Sequence, residues 1–212
     1  MRFILTFISF LLLSPCFLYG QSDQEALKIL DRFSSNALKA PSVSMKFIAV
    51  TSDQIENTTD TTAGSILLSK DKYKLEMSDN TVWFNGETAW NYLHAEEEVT
   101  ITKADKLDKS FQNRPSAIFT IYKEGYKSRL IEEKTESYII DLYPEEIKSE
   151  LLRIRLTIEK KLMNLLSLEY KRRDGIVITL YFSEYNLSKK VEPSAFVFRP
   201  AEHKGIEVID MR

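Results

Sequence analysis

Cysteine is nearly missing from this chain: its 212 residues contain one, Cys16. A single thiol allows neither an intrachain disulfide nor a thiolate zinc cage. Histidine is almost as scarce, with only His94 and His203, which excludes a multi-histidine metal centre. Six glycines and six prolines are few for this length and exclude collagen-like and low-complexity architectures. Neither sign of charge dominates. The 29 lysines and arginines against 31 aspartates and glutamates leave a net charge of −2, so the chain as a whole exerts no pull on nucleic acid. The motifs of covalent and phosphate chemistry are lacking too: there is no G-x-S-x-G elbow, no glycine-rich phosphate loop and no H-E-x-x-H pair. The expectation is a protein that is not an enzyme and uses neither cofactor nor metal. What is present is apolar surface. Hydrophobic residues make up 43% and charged residues 28%, the balance of a folded domain rather than a disordered chain.

The N-terminus carries the most sustained apolar run. After Met1-Arg2, Phe3 to Leu13 is interrupted only by Thr6 and Ser9, and Ser14-Pro15 ends it. That is short of the ~20 residues a membrane-spanning helix needs. It reads as a signal peptide, residues 1–20, with cleavage near Gly20. A rival reading takes Leu13-Ser14-Pro15-Cys16 as a lipidation box, which the proline before the cysteine fits poorly. Export leaves residues 21–212 as one domain without cysteine, stabilised by core burial alone.

Ser22-Asp23-Gln24-Glu25 has the form of a capping box. Ala26, Leu27, Leu30, Phe33, Ala37 and Leu38 then recur at helical spacing up to Lys39, and Pro41 stops the helix. From Val43 the period changes to two, with Val43, Met45, Phe47 and Ala49 on one face. Asp53 to Thr62 reads as a polar loop. Gly64 to Leu68 and Tyr73 to Met77 read as strands turned at Lys70-Asp71, with Tyr73, Leu75 and Met77 together. Asn85-Gly86 between Val82-Trp83-Phe84 and the Trp90–Tyr92 run predicts a hairpin with a type I′ turn. Val99 and Ile101 follow on a short strand. Lys103 to Arg114 is polar and irregular or briefly helical. Pro115 opens a short apolar helix through Ala117, Ile118, Phe119, Ile121 and Tyr122, ending near Gly125.

The second half is nearly all strand. Tyr138, Ile140 and Leu142 alternate, and Leu152, Ile154, Leu156 and Ile158 alternate against Arg153 and Arg155. Lys160-Lys161 turns the chain; Leu166, Leu168 and Tyr170 return it. Asp174-Gly175 turns it again into Ile176, Ile178, Leu180 and Phe182. Phe196 and Phe198 are placed on a last short strand before Pro200. The fold class is mainly β (α+β), an antiparallel meander of about ten to eleven strands, too many to stay flat, that twist curls into a sandwich, a closed barrel or an open half-barrel. A curved sheet with a partial helical cover can leave an apolar hollow.

The polar clusters read as ordinary. His94 and His203 fall in turns or loops, where a surface role outweighs that of a catalytic base. Glu96-Glu97-Glu98 alternates faces and reads as a solvated run. Lys171-Arg172-Arg173 reads as a soluble basic hairpin tip, with docking to an anionic surface as the alternative.

Three segments carry a resemblance. Val43-Ser44-Met45-Lys46-Phe47 after the helix is the first. Gly64-Ser65-Ile66-Leu67-Leu68, Lys72-Tyr73-Lys74-Leu75 and then Val82 to Tyr92, with Asn85-Gly86 and Trp90-Asn91-Tyr92, are the second. Pro193-Ser194-Ala195-Phe196-Val197-Phe198-Arg199-Pro200 and Gly205 to Asp210 are the third. In this order they resemble the LolA-type periplasmic outer-membrane lipoprotein carriers, in the form of Bacteroidetes-type bacteria, over nearly all of residues 22–212. The resemblance implies an unclosed antiparallel half-barrel with a helical lid over an apolar cavity. It also implies acylated lipoproteins as cargo, an inner-membrane ABC-type lipoprotein-releasing complex as donor and an outer-membrane acceptor. One departure concerns the lid. Family members often place an Arg-Pro pair between the second and third strands to hold it; here Ser69-Lys70-Asp71-Lys72 offers only Lys70, without the planar fork of arginine.

On this reading the chain is a monomeric periplasmic carrier that shields acyl chains. The expected lipid-binding wall is Phe47, Tyr73, Leu75, Met77, Trp90, Tyr92, Ile154, Leu156, Leu168, Ile178 and Leu180. The expected lid is Ile118, Phe119 and Tyr122, with Lys70 as its latch. The same side chains could instead pack as a dry core. Two rival functions stay open: a lipid- or lipoprotein-binding sensor or membrane-anchored acceptor on the same scaffold, and an enzyme acting on lipids or envelope polymers, which needs a nucleophile with a base close by where no such pair is visible.

Overall fold

The computed structural model describes residues 18–103, 114–188, 190–203 and 205–212, and side chains of the first helix from residue 23 on. Among the described residues one α-helix, α1 (Leu18–Lys39), precedes twelve strands. The first six are β1 (Val43–Asp53), β2 (Thr58–Ser69), β3 (Lys72–Met77), β4 (Asn80–Phe84), β5 (Thr88–Leu93) and β6 (Glu98–Lys103). Two 3-10 turns follow, Pro115–Phe119 and Ile121–Lys123. Then come β7 (Tyr126–Glu133), β8 (Ser137–Pro144), β9 (Leu151–Glu159), β10 (Leu165–Arg172), β11 (Ile176–Asn186) and β12 (Glu207–Asp210). All twelve form one sheet in the order β12-β6-β5-β4-β3-β2-β1-β11-β10-β9-β8-β7. Its two edges, β12 and β7, do not meet, so the barrel is unclosed. Every pairing is antiparallel except β12 on β6.

Several expectations need correction. The sheet has twelve strands rather than ten or eleven, because β7 and β12 escape a reading by periodicity. β7 is mostly polar and, Ser128 apart, half or fully exposed, and all four residues of β12 are exposed, so neither shows the apolar alternation that marks a buried face. The helix passes through Ser22, so Ser22 does not cap it. Within it, Ala26, Ile29, Leu30, Phe33 and Ala37 form the buried stripe, while Leu27 and Leu38 are 43% and 54% exposed; a 3.6-residue period carries them off the packed face. The polar stretch before Gly64 is mostly strand. β1 and β2 pair out to Asp53 opposite Thr58, a threonine-rich ladder that suits extended backbone. At Asn85-Gly86 the two-residue loop is Gly86-Glu87, since the Asn85 amide donates to the Thr88 carbonyl. Gly86 takes the positive φ of 99°. Asn85 stays outside the loop, and its Oδ1 accepts from the amides of Glu87 and Thr88. The expected helix after Pro115 is the pair of 3-10 turns. Phe196 lies in the 3-10 turn Pro193–Phe196, and Phe198 follows it outside any strand. The polar stretch before Arg114 lies largely outside the described residues.

Bulges shift two faces by one residue. β10 slips against β9 between Leu165 and Ser167 and again between Lys171 and Arg172. Leu165 is therefore buried and Leu166 40% exposed, while Leu152 is 37% exposed and Leu151 packs on the core instead. Past the bulge the expected parity holds: Ile154, Leu156 and Ile158 are buried at 0–1%.

The core is on the sheet's inner face, where Phe47, Leu75, Leu142, Leu156 and Leu180 join the stripe of α1 in one cluster. Gly64 sits opposite Phe47 and next to Met77 in the ladders. The outer face carries two separate structures. On β8, β9 and β10, buried Asp141 accepts two hydrogen bonds from Arg155, at 2.7 and 2.8 Å, and Arg153 lies between Asp141 and Glu169. On β4 and β5, the segment after β11 covers Trp83 and Tyr92, whose rings lie 5.3 and 6.2 Å from Phe198.

Candidate functional site

Residues far apart in the sheet line a single hollow. Leu75 and Met77 of β3 and Tyr126 of the edge strand β7 border the same space of about 930 Å³. In the strand order they are separated by β2, β1, β11, β10, β9 and β8, so the sheet must curl strongly to bring them together. Phe47, Ala49, Leu151, Ile178 and Leu180 complete most of the apolar wall, and Ala117, Thr120 and Ile121 border it from the 3-10 segment. Among the described residues, charge on the lining is confined to Asp79, Arg114, Lys123, Glu124 and Arg172. Of these, Arg172 is held by Asp174 at 2.6 Å and Glu150 at 3.5 Å.

Of the expected wall, Phe47, Leu75, Met77, Ile178 and Leu180 line the hollow. Tyr73, Ile154, Leu156 and Leu168 share its face but are packed solid, 0–4% exposed, within the core cluster. Trp90 and Tyr92 are on the opposite face. Trp90 pairs with Trp83, whose neighbours Val82 and Phe84 carry the inner face, and Tyr92 packs 4.7 Å from His203.

The expected lid divides in two. Ile118, Phe119 and Tyr122 turn away from the hollow and are 2–4% exposed. Phe119 meets Phe33 of α1 at 5.4 Å, and the Tyr122 hydroxyl donates to Asp31 at 2.6 Å. Burial first, and then that hydrogen bond, push the Tyr122 phenol from 10.0 up to about 12. The opposite side of the same segment borders the hollow. Lys70 is exposed in the β2–β3 turn with φ 57° and is not among the lining residues.

Sequence reasoning misses Tyr126, Leu151, Thr51, Thr62 and the charged rim. Tyr126 begins a strand with no alternation to find it by, and Leu151 is selected over Leu152 only by the bulge. Periodicity puts Tyr170 on the correct strand but does not assign it to the wall. Burial raises the phenol pKa of both Tyr126 and Tyr170.

The polar clusters serve the fold. The two ring nitrogens of His94 meet the Thr81 hydroxyl at 3.0 Å and the Ser78 carbonyl at 3.1 Å, and His203 stacks on Phe198. Arg173 donates to the carbonyls of Ser149 and Ile147, tying down the loop before β9. Among the described residues no group of His, Cys, Asp and Glu could hold a metal ion, and no helix is long and apolar enough to cross a membrane.

A single sheet curled around an open, largely apolar hollow, with one helix on its inner face, defines a β half-barrel of the ligand-enclosing kind. The profile of the family described as outer membrane lipoprotein carrier protein LolA matches residues 17–175, and the chain belongs to that family. Among solved structures, an uncharacterized conserved protein from Thermus thermophilus is similar in fold. It has a TM-score of 0.60 and 15% identity, over 88% of this chain and 99% of that one. A LolA superfamily protein from Nitrosomonas europaea aligns with a TM-score of 0.43 and 11% identity, over 82% of this chain and 97% of that one. A putative outer membrane lipoprotein-sorting protein domain from Vibrio parahaemolyticus gives 0.46 and 10%, over 82% and 97%. Among curated protein sequences none matches the chain.

Proposed function

We propose that this chain is a periplasmic carrier that holds the acyl chains of lipoproteins in the hollow and ferries them from the inner to the outer membrane. One observation carries the reading: a member of this family has an open hollow of about 930 Å³ walled by Phe47, Leu75, Met77, Ile178 and Leu180. That volume lies in the range of roughly 300–1,000 Å³ typical of ligand sites. Exposing a sixteen-carbon chain to water costs about 12 kcal/mol, at ~0.8 kcal/mol per methylene. Several such chains on one protein cannot cross an aqueous space unshielded. A carrier needs apolar walls, no covalent chemistry and a reversible cover. The 3-10 segment bordering the hollow supplies the cover, with Tyr122 and Phe119 holding it to α1. An inner-membrane ABC-type complex loads the carrier and an outer-membrane acceptor unloads it. Residues 1–20 act as the export signal, and the chain acts as a monomer without enzymatic activity.

The test is recovery of the protein from the soluble envelope fraction of its own cells, followed by mass spectrometry of what accompanies it. The reading expects a mature N-terminus near Gln21 and co-purifying peptides acylated at their N-terminal cysteine. A membrane-bound product acylated at Cys16 overturns the shuttle and favours an anchored acceptor. A soluble product with no acylated companion removes the cargo assignment.

A further inference from the structure

The wall of the hollow is not uniformly apolar. Tyr126 of β7 and Tyr170 of β10 both line it. Tyr170 is set opposite Ile178 on one side and Ile154 on the other, which fixes its side chain on the inner face. Neither phenol makes a hydrogen bond to a protein group among the described residues. Other tyrosines of the chain do: Tyr122 donates to Asp31 at 2.6 Å and Tyr143 to Asp141 at 3.0 Å. Two residues along β7 from Tyr126, on the same face, the buried Ser128 hydroxyl also has no protein partner among the described residues. Both phenols face the hollow, where a ligand can supply the hydrogen-bond acceptor that water otherwise provides. The two phenols therefore mark part of the wall as a place for ligand polarity.

The chemistry of that polarity follows from the donors. Burial raises both phenol pKa values, and Tyr126 further opposes ionisation of Tyr170. Both stay neutral and protonated at ordinary pH, offering O–H donors without charge. Arg172, further along β10 and also on the lining, is engaged with Asp174 at 2.6 Å. The complement of two neutral donors beside apolar walls is a pair of neutral acceptors attached to hydrocarbon. We propose that Tyr126 and Tyr170 read the ester carbonyls of an acyl-glycerol group, whose chains occupy the apolar remainder of the hollow. This rests on the carrier reading and narrows it from any hydrocarbon chain to an acyl ester. The ester could belong to the diacylglyceryl group of a lipoprotein or to a glycerophospholipid.

The test compares three probes on the mature protein by displacement of a fluorescent acyl reporter. They are a synthetic dipalmitoylglyceryl-cysteine peptide, its dialkyl ether counterpart without ester carbonyls, and dipalmitoyl phosphatidylglycerol. The ester peptide should bind about tenfold more tightly than the ether, because two neutral hydrogen bonds are each worth roughly threefold. Tyr170→Phe and Tyr126→Phe keep the ring. Each should weaken ester binding about threefold and leave ether binding unchanged. Tighter binding of the phospholipid than of the ester peptide supports ester recognition and moves the source from lipoprotein to membrane lipid. Equal binding of ester and ether by the parent, or equal weakening of both by Tyr170→Phe, overturns ester recognition while leaving an acyl-chain carrier. Absence of binding by all three probes overturns the carrier reading and this inference with it.

Discussion

Gly64 has no room for a side chain: a Cβ added there would lie 2.5 Å from the Phe47 ring and 2.6 Å from the Glu76 carbonyl oxygen. The glycine lets a ring that lines the hollow lie flat across its own neighbouring strand. Gly64→Ala should lower stability by about 1–3 kcal/mol, a fall in Tm of about 3–10 °C by thermal unfolding. Tyr122 gives a second residue-scale prediction. Its proton is held to about pH 12 in the folded protein, against 10.0 for the ordinary group. Between these values the folded state binds more protons than the unfolded one, so the contribution is intact below pH 10 and lost as pH rises toward 12. Tyr122→Phe should remove that part of the alkaline stability loss and cost about 1–2 kcal/mol at pH 7 through the lost bond to Asp31. Denaturant unfolding of parent and variant at pH 7 and across the alkaline range checks both. Neither role is legible in the sequence. Alternation marks Phe47 as inward, but nothing local says that Gly64 leaves it space or that Tyr122 turns toward α1.

At the scale of elements, the run from Leu152 to Ile158 shows what periodicity can and cannot fix. Its alternation correctly sends Ile154, Leu156 and Ile158 inward and Arg153 and Arg155 outward, since the opposite register would bury two guanidinium groups. It fails at Leu152, because the bulge opposite Arg172 hands the inward position to Leu151 and both candidates are leucine. The same ambiguity separates Leu165 from Leu166. The arginines are also not free in water as an alternating pattern implies. Asp141 of β8 is 1% exposed and gathers Arg155 and Arg153 of β9, and Arg153 also reaches Glu169 of β10, so β8, β9 and β10 are tied on their outer face as well as packed on their inner one. Asp141→Ala should cost about 3 kcal/mol, the lower end for breaking a buried pair, because its partners reach solvent. Arg153→Met should cost less, since Arg155 continues to satisfy the carboxylate. Chemical denaturation of the two variants against the parent separates these outcomes.

For the whole molecule, the pattern of the chain specifies a one-sided antiparallel sheet but not what meets that side. Leu156 and Leu180 occupy equivalent places in alternating strands. Both belong to the core cluster, but only Leu180 also borders the hollow. The difference arises from curvature and from where α1 and the 3-10 segment stop covering the face, neither of which a single strand encodes. Trp90 and Tyr92 mislead for a related reason. The outer face of β4 and β5 is itself covered by the segment carrying Phe198, so their apolar character reports a second packing surface rather than the hollow. The most direct measurement is titration of the parent, Ile178→Glu and Leu156→Glu with an environment-sensitive acyl probe, alongside their thermal unfolding. If the hollow receives acyl chains, the parent binds reversibly. Ile178→Glu then loses binding with only a few degrees' fall in Tm, and Leu156→Glu, a charge in solid core, fails to fold stably. A parent that does not bind the probe, or an Ile178→Glu variant that binds it as well as the parent, would contradict the account.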